Sequence, residues 1–531
     1  MVTAATHTHD VVIVGGGHNA LVAAAYLARD GRSVAVAEAL PHVGGAAVSE
    51  QPWDGVDARL SRYSYLVSLL PRRIIDDLGL SLRLTRRRYS SYTPDPVDPR
   101  RGIVVDTADA RASAESFLRV TGDHREAPRF EALYGRIAPI AAATFPTMTE
   151  PLMRASQMRG RWADDHLWHA LAEQPLGGLV REAVVSDIAR GIVLTDGLIG
   201  TFASADDPSL RQNRCFLYHV IGGGTGDWDV PVGGMGRVSG ELERAARAAG
   251  AQILTSAPVT SISPDGEVHV AGDAPRVLNG RVVLCGVGPA VLSHLLRGGG
   301  AGADLPAIPP PEGAQLKVNM LLRRLPRLRD QSVSPEAAFS GTFHVNETLS
   351  QLEAAVRSAA AGAVPDPLPA EIYCHSLSDP SILGPALRAS GAQTLTLFGL
   401  HTPHRLASGK DPDRYRAELL QAAERSLAAV LDEPLSDCLH TDAEGAPCIE
   451  ARTTVDLEDS LGMTAGDIFH GPLSWPWADD DEELSTPAER WGVATPYERI
   501  LLCGSSARRG GAVSGVGGHN AAMAVREMLD A

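Results

Sequence analysis

Lysine is nearly absent from this chain: of 48 basic residues only Lys317 and Lys410 are lysines, and the rest are arginines. Arginine serves wherever a plain positive charge suffices, so a lysine marks a position where the two are not equivalent. A basic excess is missing as well. The formal net charge of −16 argues against a general nucleic-acid binder, which needs a basic field. Cysteine is sparse, and Cys215, Cys285, Cys374, Cys438, Cys448 and Cys503 show neither a C-x-x-C pair nor a regular spacing. They fit small buried side chains in a reducing compartment, with no zinc site and no disulfide framework. No apolar run reaches the roughly 18–20 residues of a membrane span. The opening MVTAATHTHD lacks both the basic and the apolar region of a secretory signal. The expectation is a soluble, cytoplasmic protein, at most peripherally attached to a membrane. One exception to the acidic balance is the stretch holding Arg72, Arg73, Arg86, Arg87, Arg88, Arg100 and Arg101. It reads first as a solvated face and second as a contact for anionic lipid or an acidic substrate.

At 531 residues and 56.0 kDa the chain exceeds what one hydrophobic core supports, so two or more subdomains are expected. Asp10–Val14 reads as a strand, Ala20–Asp30 as a helix stopped by Gly31, and Ser33–Ala37 as a second strand. That is a β-α-β unit, whose two strands run parallel. Residues 108–210 are mostly helix-patterned. A second α/β block runs from a helix over 234–249 through strands near 252–255 and 258–262 to RVVLCGVGP at 281–289. A linker-like loop, RGGGAGADLPAIPPPEG, covers 297–313. Beyond it the strands QLKVNMLL (315–322), EIYCHSL (371–377) and TLTLFGLH (394–401) alternate with loops and a helix near 411–431. The Ala/Gly/Pro stretch 359–370 reads as an exposed loop. The chain closes with the strand RILLCG (499–504), a glycine-rich turn and a helix from about Gly518.

The stretch VVIVGGGHNALVAAAYL (11–27) contains the fingerprint Gly15-x-Gly17-x-x-Ala20. Gly15 permits a tight turn, Gly17 lets backbone approach a pyrophosphate, and small Ala20 lets the helix pack close to the strand. The helix N-terminus then offers free N–H groups and a positive dipole. Glu38 closes the second strand, where an acid accepts from ribose hydroxyls and repels a 2′-phosphate, which disfavours NADP. Gly44-Gly45, in EALPHVGGAA, is a pair that NAD enzymes do not need and several FAD families carry. At the far end, SSARRGGAVSGVGGHNAA makes a second glycine-rich strand-to-helix turn with no β-α-β unit after it. The run IGGGTGDWDVPVGGMG (221–236) leads its first glycines into Trp, Asp and Pro, not into a helix. One dinucleotide site is therefore expected, and no separate NAD(P)H domain.

These segments, with SRYSYLVSLL, PVGGMGRVSGEL and GDIFHG, occur in the order of the phytoene desaturase and carotene ketolase-like branch of the FAD-dependent amine oxidase superfamily. The chain resembles that branch over nearly its whole length. Within it, HNALVAAAYL, SYLVSLL and IFHG are most similar to the animal pyridine nucleotide-disulfide oxidoreductase domain-containing protein and its bacterial relatives. The resemblance implies an α/β fold with a Rossmann-like FAD-binding domain of the glutathione-reductase/amine-oxidase type. That domain would be assembled from residues 1–75, 215–300 and 490–531, with an inserted α+β substrate domain, partly helical, from 76–214 and 301–489. It also implies non-covalent FAD held by Gly15, Gly17, His18, Asn19, Ala20, Glu38, Gly44, Gly45 and Ala46. Val259 would bond the adenine through its backbone, and Gly504, Ser505, Gly515, Val516 and Asn520 would complete the cofactor lining.

Flavin dehydrogenation asks little of a protein: a C–H bond held over the ring, control of water, and in some cases a base. No Ser-His-Asp set, H-E-x-x-H or carboxylate pair stands out. Lys317 interrupts the apolar strand QLKVNMLL. In the resembled amine oxidases a lysine in a similar strand holds a water against flavin N5; the plainer reading is a surface lysine on an edge strand. His470, in GDIFHGPLSWPW, could border the substrate as base or donor, or bond backbone. Tyr218 and His219 could reach the substrate or sit in the core, and His18 and Asn19 shape the loop, where Asn can cap. Arg508 and Arg509 stand where the family often has His-Pro. An arginine near the flavin would favour the anionic reduced ring or an acidic substrate group. No aromatic residue occurs in 504–520, which speaks against the ring cage of amine oxidases.

The expected reaction is hydride transfer from a largely apolar small molecule, isoprenoid-, carotenoid- or polyketide-like, to flavin, with O2 or a quinone as final acceptor. An amine or amino-acid oxidase is one alternative. A flavin-free binder resembling the GDP-dissociation inhibitors is another, against which both retained ends of the nucleotide site weigh.

Overall fold

A computed structural model describes residues 5–300 and 310–530. Most of the expected linker, 301–309, lies outside them, and its first residues close a helix, Pro289–Gly298. The first crossover is strand Ala5–Val14, helix His18–Arg29 and strand Val34–Ala37. The strand begins earlier than its apolar run because Ala5–His9 pair in register with Arg276–Gly280. Backbone pairing recruits the polar THTH segment, which side-chain pattern alone would not place in a sheet.

Parallel strands Gln252–Leu254, Val34–Ala37, Ala5–Val14, Arg276–Cys285 and Ile500–Leu502 form the body of a seven-stranded sheet. The antiparallel strands Val259–Ile262 and Glu267–Val270 extend it beside the first half of Arg276–Cys285. Helices His18–Arg29, Met235–Ala248 and Val516–Asp530 cover one face, and Pro289–Gly298 the other. Burial on both faces is the usual state of parallel strands. The first and last helices touch backbone to backbone: a Cβ on Gly518 would stand 1.8 Å from the Asn19 carbonyl oxygen.

A second seven-stranded sheet runs in the order Ile449–Arg452, Leu316–Leu322, Gln393–Gly399, Ala370–Tyr373, Thr342–Val345, Tyr89–Pro94, Gly102–Asp106. Its pairs are antiparallel except Thr342–Val345 against Tyr89–Pro94. Alternation along the strands sends Leu316, Val318, Met320, Leu395, Leu397 and Ile372 into one core. The opposite face carries Lys317, Phe398 and Glu371. A layer of helices between residues 110 and 220 has its own core.

Several expectations shift. The boundary expected at 215 falls inside helix Arg211–Val220, which packs in the helical core. The stretch 359–370 is not wholly exposed, since helix Leu349–Ala360 ends in it and Leu368 is fully buried. In EIYCHSL the strand stops at Tyr373 and His375–Ser378 turn helical. All six cysteines are free and buried. Among the described residues no helix is long and apolar enough to cross a membrane.

Candidate functional site

The glycine loop is built around one hydrogen bond: Glu38 Oε2 accepts from the Gly16 N–H at 2.6 Å, while Oε1 accepts from the Leu40 N–H at 2.8 Å. Gly15 has φ +87°, a conformation that glycine alone adopts cheaply. A Cβ on Gly16 would stand 2.8 Å from Val43 Cγ1 and 3.1 Å from Glu38, so this middle glycine, which the fingerprint leaves free, is required by packing. At Gly17 nothing lies within 4 Å of a Cβ, which leaves the approach to the helix start open. Ala20 Cβ lies 3.3 Å from the Cβ position of Gly286, the close helix-to-strand contact expected of a small residue.

Polar atoms without partners gather at this helix start. His18 Nε2, Asn19 Oδ1 and His470 Nδ1 are all buried and have no hydrogen-bond partner among the described residues. Burial holds both His18 and His470 at a pKa of about 4, neutral at pH 7. Open space at Gly17, free N–H groups of the first helical turn and unsatisfied neutral donors and acceptors fit the pyrophosphate of a dinucleotide.

A cavity of about 1050 Å³ extends from this loop between the two sheets and under the helical layer. Of the residues expected from sequence, Gly15, Gly17, His18, Asn19, Ala20, Glu38, Gly45, Ala46, Val259, Gly504, Ser505, Lys317, His470 and His219 line it. Others stand behind it. The Gly44 N–H donates to the Gly16 carbonyl at 2.9 Å and braces the loop. Gly515, at φ +71°, packs on Val22, Leu70 and Ile74. Val516 is in the helical core, and Asn520 Nδ2 donates to the Met148 carbonyl at 3.1 Å. Tyr218 donates to the Ser474 carbonyl at 3.1 Å and does not face the cavity. The segment 225–228 borders the cavity without forming a second nucleotide loop.

Arg508 requires a correction. It pairs with Glu482 at 2.8 Å and does not line the cavity. Its neighbour Arg509 is fully buried at φ +66°, and donates to the carbonyls of Thr147, Glu150 and Trp491 at 2.9, 2.6 and 3.1 Å. Arg508 and both terminal nitrogens of Arg509 are spent on the protein itself, and neither residue lines the cavity, which removes the sequence argument for an acidic substrate. The arginine-dense stretch dissolves likewise: Arg72, Arg73, Arg86, Arg88, Arg100 and Arg101 each meet a carboxylate. Arg86, paired with Asp227, and Arg87 also line the cavity, and Arg87 is the more deeply buried of the two.

Lys317 lies on an interior strand, paired on both sides, and is 3% exposed. Its Nζ donates to the carbonyls of Ser61 and Tyr63 at 2.9 and 2.5 Å and lies 4.9 Å from the centre of the Tyr65 ring. Burial pulls its pKa well below the usual lysine value. Two carbonyls and a ring face favour the charged form against that pull. An ammonium has three N–H donors, so one remains for the cavity.

The structure also assembles a group that sequence reasoning missed. Register places Arg452, Lys317, Phe398, Glu371 and His344 in one row across the second sheet. Tyr373 donates to Glu371, and Asp196, from helix Asp187–Leu198, lies beside Tyr134. Burial pushes Asp196 up to about 7 and Glu371 up to about 8. A carboxylate inside the apolar strand AEIY was as anomalous as the lysine in QLKVNMLL, and that signal was available.

The fold and the loop site define the class: a Rossmann-type oxidoreductase fold of the kind seen in amine oxidases. Residues 13–71 match the NAD(P)-binding Rossmann-like domain, and the fold is shared with cyclohexylamine oxidase of Brevibacterium oxydans, at TM-score 0.57 and 17% identity over 98% of this chain and 100% of that one. More particularly, the chain belongs to the family of pyridine nucleotide-disulfide oxidoreductase domain-containing protein 2. It is 30% identical to the Rattus norvegicus member over 97% of this chain and 92% of that protein. An uncharacterized protein of Mycobacterium tuberculosis is 55% identical over 98% of this chain and 97% of its own.

Proposed function

We propose that this protein is an FAD-dependent oxidoreductase, of dehydrogenase, desaturase or oxidase type, acting on a largely apolar small molecule of isoprenoid, carotenoid or polyketide kind. The observation that carries the reading is one continuous cavity joining the phosphate loop at Gly15–Gly17 to a chamber walled by Phe117, Phe130, Ile137, Ile192 and Phe398. FAD is favoured over NAD because Gly45, Ala46, Gly504 and Ser505 line the same cavity, extending the cradle beyond what the first crossover supplies. When bound, FAD provides a ring that accepts a hydride and is reoxidised by O2 or a quinone.

The chain's own residues bind, orient and exclude water. The loop and the helix start hold the pyrophosphate. Glu38, one lone pair on each oxygen already used, offers another to a ribose hydroxyl, and Val259 offers backbone to the adenine. Lys317 holds a water at the polar face of the second sheet, and neutral His470 supplies a hydrogen-bonding group at a pKa too low for a cation. The apolar chamber excludes water and positions the substrate's reacting carbon. In this reading residues 1–75, the middle segment after helix Arg211–Val220 up to 300, and 490–531 serve the cofactor and the remainder the substrate.

The test is the visible spectrum of the purified protein. Bands near about 370 and about 450 nm, present or restored by added FAD, are the expected result. Protein that shows none and takes up no FAD would defeat the reading and favour a flavin-free binder.

A further inference from the structure

The polar wall of the cavity carries a charge imbalance that a pure hydrocarbon ligand leaves unexplained. Asp196 and Glu371 face the cavity, and Glu347 lies behind them, its carboxyl pushed up by burial and by both of their charges. Glu347 and Glu371 are 1% and 3% exposed. Glu347 Oε2 accepts from the Thr195 hydroxyl at 2.8 Å, and its Oε1 is buried with no partner among the described residues. One guanidinium stands against these three carboxyls. Arg87 lies 5.6 Å over the Tyr373 ring, with Nη1 buried and unpartnered.

The other titratable groups nearby do not restore the balance. Tyr65, Tyr134 and Tyr373 are held neutral by burial. His344 and His375 are pushed to about 3 by burial and carry no charge at pH 7. Lys317 is two strands from Glu371, about 10 Å at the usual strand spacing. Uncompensated buried carboxylates must take up protons or meet a cation. An anionic ligand would add a fourth negative group, and a neutral one would leave the protons in place.

We propose that the ligand of this cavity carries a protonated nitrogen on an otherwise apolar body. Its cation sits between Asp196 and Glu371, as an anchor remote from the group that is oxidised. The proposal rests on reading the cavity as the substrate site. The Tyr65 and Tyr373 rings already carry Lys317 and Arg87, so the two carboxylates hold the cation. The two-strand offset from Lys317 separates this seat from the lysine.

The experiment is calorimetric titration of the full-length protein with octylamine, octan-1-ol and octanoate, with the flavin absorbance followed anaerobically. Octylamine is expected to bind about tenfold tighter than octanol without bleaching the flavin. Its advantage should grow from about pH 6 to about pH 9 as the carboxyls give up their protons. Asp196→Asn and Glu371→Gln should each abolish that advantage while octanol affinity, the check on folding, stays unchanged. Octanoate binding best would assign recognition to Arg87 and overturn the proposal. Octylamine binding no better than octanol would overturn it too. Bleaching by octylamine would make the amine the oxidised group and not an anchor. A protein without FAD fails the functional reading alone, because the three ligands can still be compared.

Discussion

Lys317 and Glu371 face the same cavity from one row of the second sheet, each paired with Phe398 on the strand between them. A lysine held on backbone carbonyls and a carboxyl held on a tyrosine thus mark two chemically distinct stations on one wall. Replacing Lys317 by Met should slow reoxidation of the reduced flavin by O2 at least about tenfold, read by stopped-flow absorbance. The gain from removing a buried charge is set against the loss of the donor to the Ser61 and Tyr63 carbonyls, so stability should change by about 1–3 kcal/mol at most. Unchanged reoxidation would remove the role given to this lysine.

The Gly16–Glu38 bond predicts two different losses. Glu38→Gln keeps the shape but turns one of the two acceptors, to Gly16 or Leu40 N–H, into a donor, so FAD affinity should fall about tenfold or more with the fold intact. Gly16→Ala drives a Cβ into Val43 and Glu38, and should cost about 1–3 kcal/mol of stability as well as the cofactor. Flavin fluorescence on release and thermal melts separate the two.

Adjacent arginines should behave oppositely. Arg508→Ala removes a partly exposed ion pair to Glu482, and should change stability by about 1 kcal/mol or less while leaving the flavin spectrum alone. Arg509→Met strands three buried carbonyls, and should cost about 3 kcal/mol or more. A large loss of flavin binding in Arg508→Ala at unchanged stability would return that residue to the site.

Stability should peak near neutral pH. Burial holds His344, His375 and His401 at about 3 and His18, His219 and His470 at about 4. The unfolded chain binds their protons first, so stability is full above about pH 6.5 and falls toward pH 4. Asp196 and Glu371 act the other way. Raised to about 7 and about 8, they hold protons that the unfolded chain has lost. They therefore take stability away as pH rises from about 4 toward those values, more gently than the histidines act at the acid end. Melts of wild type and Glu371→Gln across pH should show the alkaline slope flattened in the variant. An unaltered slope would remove Glu371 as its cause.

The nucleotide half of the site was legible because its chemistry is local. A strand, a glycine turn and a helix within thirty residues leave the backbone few choices, and Gly15, Gly17, Ala20 and Glu38 stand where spacing placed them. The C-terminal turn was legible as a segment but not residue by residue. Gly504 and Ser505 face the cavity, while Gly515, Val516 and Asn520 face the protein, because which side of a turn a residue presents depends on what packs behind it. Arg508 was misplaced for the same reason: its partner, Glu482, lies on a different segment.

The polar wall was beyond pattern. Glu371 and Lys317 stand in the same row only because Gln393–Gly399 pairs with both of their strands, and a one-residue slip in either ladder would turn one of them into the core. Asp196 and Arg87 reach that wall from a helix and from the turn before strand Tyr89–Pro94. Local sequence therefore determined the elements, the dinucleotide loop and the oddity of a lone lysine in an apolar strand. Tertiary structure alone decided strand register and helix placement, and so which charges share a low-dielectric cavity and which are spent on neighbours.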